Sequence, residues 1–207
     1  MKLIIFGSTG KVGEHLTHQA LLAGHYVTAF TRNPEKITSD HHFLKTVTGD
    51  IWDYESVKNA ISGNDVVFCT IGAGRKGVVR AATTWNIVKA MKELNVNRFI
   101  CQTSLGCGES WGNLNFFWKR IMFGWYLKEA IKDHNNQERI VFESDLNWTI
   151  VRPSAFTNGL LTNSFRVNFG PDDRQLKLKI SKQDVAYFML SQINNPEFNR
   201  KAISISC

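Results

Sequence analysis

The stretch KLIIFGSTGKVGEHLTHQALL, residues 2–22, decides the fold. Lys2 to Phe6 is a short apolar run, three glycines follow at Gly7, Gly10 and Gly13, and helical periodicity runs from Val12 to Leu22. A glycine at a strand end allows a tight turn without a Cβ clash. A second lets the backbone approach a pyrophosphate whose charge faces the N-terminus of the following helix. The spacing is G-x-x-G-x-x-G, a variant of the G-x-G-x-x-G fingerprint. Taken alone, such a triplet also fits a strand-to-helix turn with no ligand; the strand before it and the helix after it are the setting phosphate binding requires.

Outward from this stretch, apolar runs alternate with helical patterns, the mark of a parallel sheet covered on both faces. Strands are predicted over Lys2–Phe6, Tyr26–Phe30, Phe43–Val47, Val66–Thr70, Arg98–Gln102 and Thr149–Arg152, with a last one, Ala202–Ile205, at the sheet edge. Helices are predicted over Val12–Leu22, Tyr54–Ile61 and Val79–Leu94. Ser181 stands three residues before Asp184 in a capping-box pattern that opens a final helix bearing Val185, Phe188, Met189 and Ile193. The expectation is an α/β chain forming one domain over residues 1–207: a doubly wound, mainly parallel sheet of about six to eight strands. The segment of about 105–128 and the part from 153 to 207 should be integrated into that domain.

With 207 residues, 43% of them hydrophobic, the chain can bury a substantial core. The expectation is of no export signal, since no charged leader and apolar segment is apparent before the first strand, and no apolar run approaches the roughly 20 residues that span a bilayer. Cys69, Cys101, Cys107 and Cys207 lack metal-type spacing, and the six histidines form no metal cluster. Reduced thiols in a cytoplasmic protein are the simplest expectation. The net charge of +7 is scattered rather than gathered in a stripe, which argues against nucleic acid and for a phosphorylated or anionic small molecule.

The second strand bears on which dinucleotide fits. An acidic residue at its end would bond the free ribose hydroxyl of NAD, but the chain reads Ala29-Phe30-Thr31-Arg32-Asn33-Pro34. Arg32 suits a 2′-phosphate and Lys36 adds a second cation, favouring NADP(H), with NAD(H) as the alternative. Arg32 could equally be a solvated turn residue, a reading that nearby Glu35 keeps open. Ligands of open parallel sheets collect at the carboxyl ends of strands. Asp50 and Ile51 are therefore candidates for the adenine, and Ile71, Gly72 and Ala73 for the ribose and pyrophosphate, against the simpler reading of loop chemistry.

GSTGKVG at 7–13, VTAFTRNPEK at 27–36, GDI at 49–51, QTSLG at 102–106, SDLNWTIVRPSAFTNG at 144–159 and ISKQDVAYFML at 180–190 carry a resemblance that covers nearly the whole chain. The chain resembles the atypical short-chain dehydrogenase/reductases of the NAD(P)H-binding, NmrA-like group, above all the biliverdin-IXβ reductase/flavin reductase family. The resemblance implies a Rossmann domain with NADPH laid across Thr9, Gly10, Lys11, Val12, Gly13 and Arg32, and the nicotinamide near Ser104 and the Pro153 to Phe156 segment. Such frameworks host reductases as well as non-catalytic redox sensors and assembly factors.

Ordinary short-chain dehydrogenases transfer a proton through a Tyr-x-x-x-Lys pair. Tyr126 is followed by Ala130 at that spacing, and Tyr54 with Lys58 lies on the helix after strand three, the wrong element. What is expected instead is direct hydride transfer from NADPH to a planar conjugated acceptor such as a flavin, a biliverdin-like tetrapyrrole or a quinone. A non-catalytic NADP(H) sensor is the second expectation. Ser104, with Thr103 beside it, is the candidate polar group at the reacting centre, against the plainer reading of a strand-end hydroxyl bonded to backbone. Seven aromatic residues lie between 111 and 126 among Lys119, Arg120 and Lys128. Trp111, Phe116, Phe117 and Trp118 are candidates to hold the acceptor. A lid, a homodimer surface or a peripheral membrane or protein contact through 111–126 competes with that reading.

Overall fold

The computed structural model describes residues 1–75, 77–170, 173 and 176–207. Its chain order is β1 (Lys2–Phe6), α1 (Gly13–Leu22), β2 (Tyr26–Thr31), β3 (Leu44–Thr48), α2 (Tyr54–Ile61), β4 (Val66–Cys69), α3 (Val79–Glu93), β5 (Arg98–Gln102), α4 (Lys128–Phe142), β6 (Asn147–Pro153), β7 (Ala155–Thr157), β8 (Arg166–Val167), β9 (Lys179–Ser181), α5 (Lys182–Ser191) and β10 (Lys201–Ser206). Eight strands form one sheet in the order β3-β2-β1-β4-β5-β6-β10-β8, and β7 pairs with β9 apart from it. Every pairing in the large sheet is parallel except that of β8 with β10. This is the doubly wound Rossmann architecture expected from the alternating pattern. The last strand is not at the edge: β8 covers its outer side.

β1 shows why the sheet is a two-sided core. Successive side chains of a strand point to opposite faces. Leu3 and Ile5 pack with Leu16 of α1 and Val185 and Met189 of α5, while Ile4 and Phe6 pack with Val57 of α2, Ile87 and Met91 of α3 and Val141 of α4. A strand buried on both faces reads as an unbroken apolar run, as KLIIF does. A third cluster, Leu105, Cys107, Leu114, Phe123, Ile131 and Phe169, lies beyond the end of β5. Ser181 caps α5 as its spacing predicts, accepting from Asp184 N at 2.9 Å. The four cysteines are free thiols, and Cys69, Cys101 and Cys107 are buried.

The strand order reverses between β1 and β4, so the carboxyl ends of these strands open a crevice. Thr70 bridges it. Its N–H donates to Phe6 O at 2.9 Å, and its hydroxyl lies 3.2 Å from both Phe6 O and Gly7 O.

Candidate cofactor-binding site

The glycine triplet turns the chain from β1 into α1 beside Thr70. Gly7 has φ +86°, and a Cβ there would stand 2.8 Å from the Thr70 carbonyl carbon. A Cβ on Gly13 would stand 2.1 Å from Gly7 O, so this glycine lets the helix pack against the strand end. Gly10 N donates to Gly7 O at 2.9 Å, closing the turn. No side chain caps the start of α1; Glu14 N donates instead to Gly10 O at 3.1 Å, so the glycine turn leads directly into the positive end of the helix dipole.

Two cavities meet here. One, of about 210 Å³, is lined by Gly7, Thr9, Gly10, Phe30, Thr31, Arg32, Asn33, Lys36, Ile51, Thr70, Ile71 and Gly72. The other, of about 460 Å³, shares Gly10, Thr70, Ile71 and Gly72 with the first. It continues over Lys11, Val12, Thr103 and Ser104 to the Pro153–Phe156 segment. Its far wall is Leu105, Leu114, Trp118, Phe123, Leu127 and Leu178. The trough therefore runs from two exposed cations, past a backbone anion cradle, into an aromatic chamber. A Cβ on Gly72 would meet nothing within 4 Å, so the floor of the trough is open there. Volume, cations and uncapped helix all fit a phosphorylated dinucleotide.

Most of the residues singled out from the sequence thus border one continuous trough, and several do not. Gly13 is a packing glycine behind the cradle rather than part of its lining. Asp50 turns its carboxylate back to accept from Trp52 N at 3.1 Å, and neither it nor Ala73 lines either cavity. Gly49, just before Asp50, is a packing glycine too: a Cβ there would overlap Ser56 and Phe30. Of the four aromatic residues proposed to hold an acceptor, Trp118 alone borders the chamber. Trp111, Phe116 and Phe117 lie outside the wall, with Phe116 74% exposed. Trp111 stands in the short 3₁₀ turn 108–113, and Phe116 and Phe117 come just before the π-helical segment 118–126, which itself supplies Trp118 and Phe123 to the chamber.

The hydroxyls of Thr103 and Ser104 differ in commitment. Thr103 Oγ1 donates to Glu138 Oε1 at 2.7 Å and is 2% exposed, so it anchors the end of β5 to α4. Ser104 Oγ donates to the adjacent Leu105 O at 3.1 Å, on the chamber wall.

Behind this wall lies a polar network that the sequence reading missed. Arg152, at the end of β6, is held by Glu138 of α4 and by Glu109, whose Oε1 is 2.5 Å from Arg152 Nη1. Burial opposes the Arg152 charge, but the Glu138 contacts outweigh it and raise the pKa above its ordinary value. Arg80, in the first turn of α3, donates through Nη1 to Asp133 Oδ2 at 3.3 Å and through Nη2 to Gly74 O at 2.9 Å. Asp133 also accepts from Arg80 N and Ala81 N, capping α3 from the neighbouring helix. A cation in the first turn of a helix opposes the dipole, which was the signal that Arg80 must have a special partner. One residue on, His134 borders the chamber with Nδ1 3.1 Å from Gln137 Oε1. Burial first, then the Arg80 charge, push its imidazole down to about 3, so it is neutral at physiological pH. Gln137 Nε2 in turn donates to Thr84 Oγ1 at 3.1 Å. Among the described residues, no group of three or more His, Cys, Asp or Glu could hold a metal ion. No helix among them is long and apolar enough to cross a membrane.

Known proteins share this framework. The protein TIC 62 of Arabidopsis thaliana chloroplasts is 25% identical over 228 aligned positions, which take in 95% of this chain and 34% of that protein. The UPF0659 protein YMR090W of Saccharomyces cerevisiae is also 25% identical, over 99% of this chain and 92% of its own length. The chain thus spans about a third of the Arabidopsis relative and nearly all of the yeast one. Among solved structures, a short-chain dehydrogenase/reductase from Veillonella parvula in complex with NADP superposes with a TM-score of 0.83 at 19% identity, covering 99% of this chain and 93% of that one. ChuY, an anaerobilin reductase from Escherichia coli O157:H7, superposes with a TM-score of 0.82 at 23% identity, covering 99% and 96%. At these identities the structures share the fold. The NAD(P)H-binding family model matches residues 7–196, from the first glycine of the cradle to the turn before β10, and the chain belongs to that NAD(P)H-binding family.

Proposed function

We propose that this protein is an NADPH-dependent reductase that passes hydride to a planar conjugated acceptor of the flavin, tetrapyrrole or quinone class, with the whole chain acting as one cofactor-binding unit. The observation that carries this reading is the junction of the two cavities. A trough ending in Arg32 and Lys36 and a chamber walled by Trp118, Phe123 and Leu127 share one floor at Gly10, Thr70, Ile71 and Gly72. Arg32 and Lys36 would hold a 2′-phosphate, and the backbone from Thr9 to Val12 a pyrophosphate. Ser104 and the Pro153–Phe156 segment would flank the nicotinamide. NADPH, when bound, supplies the hydride. The chain's own part is orientation and exclusion of water: Trp118 and Phe123 offer ring faces to a flat acceptor, and Ser104 offers a hydroxyl to a carbonyl on it.

A second reading, a non-catalytic NADP(H) sensor, is favoured by one observation: none of the described residues bordering the chamber is a tyrosine that could act as a proton donor. One experiment separates the two. The protein is mixed with NADPH and, in turn, with flavins, biliverdins and quinones, while the reduced-nicotinamide absorbance is followed. Turnover with a member of this panel supports the reductase. Tight NADPH binding with no turnover on any of them supports the sensor.

A further inference from the structure

The 116–126 segment has two sides. Its inner side gives Trp118 and Phe123 to the chamber wall, while its outer side projects Phe116 and Trp125, 74% and 79% exposed, with Phe117, Ile121 and Tyr126 also exposed. Exposed Arg120 and Lys128 are interleaved with these side chains, half-buried Lys119 donates its Nζ to Gly112 O at 3.2 Å, and Arg75 lies 4.6 Å over the Tyr126 ring. No acidic residue occurs from Ser110 to Lys128. Of the flanking carboxylates, Glu109 pairs with Arg152 while its side chain stays 77% exposed, and Glu129 is the exposed second residue of α4.

We propose that this outer face docks on the surface of an anionic lipid bilayer. Aromatic rings placed among cations match the two layers of such a surface: rings settle at headgroup level and the cations meet lipid phosphates. Charge argues against a second copy of this chain as the occupant. A two-fold contact would set this cationic patch against its own copy, with no acidic residue from 110 to 128 on either side to pair with Arg120 and Lys128. The chain's net charge of +7 adds to the attraction toward an anionic surface. Docking of this kind lays the segment on the interface and does not depend on which acceptor, if any, the chamber reduces.

The test is co-sedimentation of the full chain with vesicles of phosphatidylcholine alone and of phosphatidylcholine and phosphatidylserine in equal parts. The protein should pellet with the anionic vesicles, and added salt should release it. Combining Arg120→Glu with Trp125→Ser should weaken that binding at least tenfold while leaving the thermal unfolding midpoint unchanged, since both side chains are exposed. Failure to pellet with anionic vesicles, or pelleting that the double variant does not reduce, overturns the proposal. So does self-association in analytical ultracentrifugation that the double variant abolishes, which would identify the face as a contact between copies.

Discussion

Arg152 grips Glu138 at two points, Nε to Oε1 at 2.8 Å and Nη2 to Oε2 at 2.7 Å, with 1% and 2% of the two residues exposed. The pair ties the end of β6 to α4, and Thr103 ties the end of β5 to the same carboxylate. Two strand ends that border the chamber are thereby fixed by one side chain. Removing one partner of a buried pair leaves an uncompensated charge and costs about 3–5 kcal/mol. Glu138→Leu should lower the thermal midpoint by roughly 10 °C. Glu138→Leu combined with Arg152→Met should recover part of that loss, because neither charge is then buried alone. A single-variant loss below about 1 kcal/mol would show that Glu109 alone suffices to hold Arg152.

Arg32 and Lys36 are the cations at the narrow end of the trough. Arg32→Ala should weaken NADPH by about 10- to 100-fold, the range for losing a hydrogen bond to a charged group, and leave NADH within about twofold. Fluorescence titration with each dinucleotide checks this. Equal losses for both would place Arg32 away from the 2′-phosphate.

The neighbouring hydroxyls should separate stability from turnover. Thr103→Val removes a donor to Glu138 inside the fold, so it should cost about 1–2 kcal/mol of stability with kcat largely kept. Ser104→Ala should leave the melting temperature in place and lower kcat by roughly 3- to 10-fold, the worth of one neutral hydrogen bond. If Ser104→Ala left kcat intact, Ser104 would be a strand-end hydroxyl and nothing more.

Gly13 tests the cradle from behind. With a Cβ only 2.1 Å from Gly7 O, Gly13→Ala must move α1 away from β1. Overpacking of this kind costs about 1–3 kcal/mol, and dinucleotide affinity should fall with it because the first turn of α1 is displaced. Unchanged affinity for both dinucleotides would separate the position of α1 from phosphate binding.

Legibility in the sequence followed the type of signal each residue carries. KLIIF and RFICQ could be read to the residue because each has an apolar centre buried on both faces and a polar residue where the run begins or ends, Lys2 in one and Arg98 and Gln102 in the other. The capping pair Ser181 and Asp184 acts over three residues, so it too was visible. The pairs Arg80–Asp133 and Glu138–Arg152 were not, because their partners are 53 and 14 residues apart. Charges on α4 read as a solvated helix face until α3 and β6 are packed against them. The aromatic segment failed for another reason: its composition marks it as apolar and basic but does not say which rings face inward, and Trp111, Phe116 and Phe117 sit outside the π-helical stretch 118–126 that supplies Trp118 and Phe123.

His134 should leave a signature in acid. Its native imidazole is held down to about 3, first by burial and then by Arg80, against the raising influence of Gln137 and Asp133, while the unfolded chain titrates near 6.5. Between these values the unfolded state carries the extra proton, so stability falls as pH drops from about 6.5 toward 3, with a slope of at most about 1.4 kcal/mol per pH unit. The contribution is constant above 6.5, where both states are neutral. His25, also lowered, acts in the same direction, so the difference between wild type and His134→Gln isolates the effect. Gln keeps a donor for Gln137 and has no proton to bind. Denaturant unfolding at a series of pH values from 7 down to 5 should show wild type losing stability faster than His134→Gln. Parallel curves over that range would mean that water in the chamber solvates the imidazolium and that His134 titrates normally.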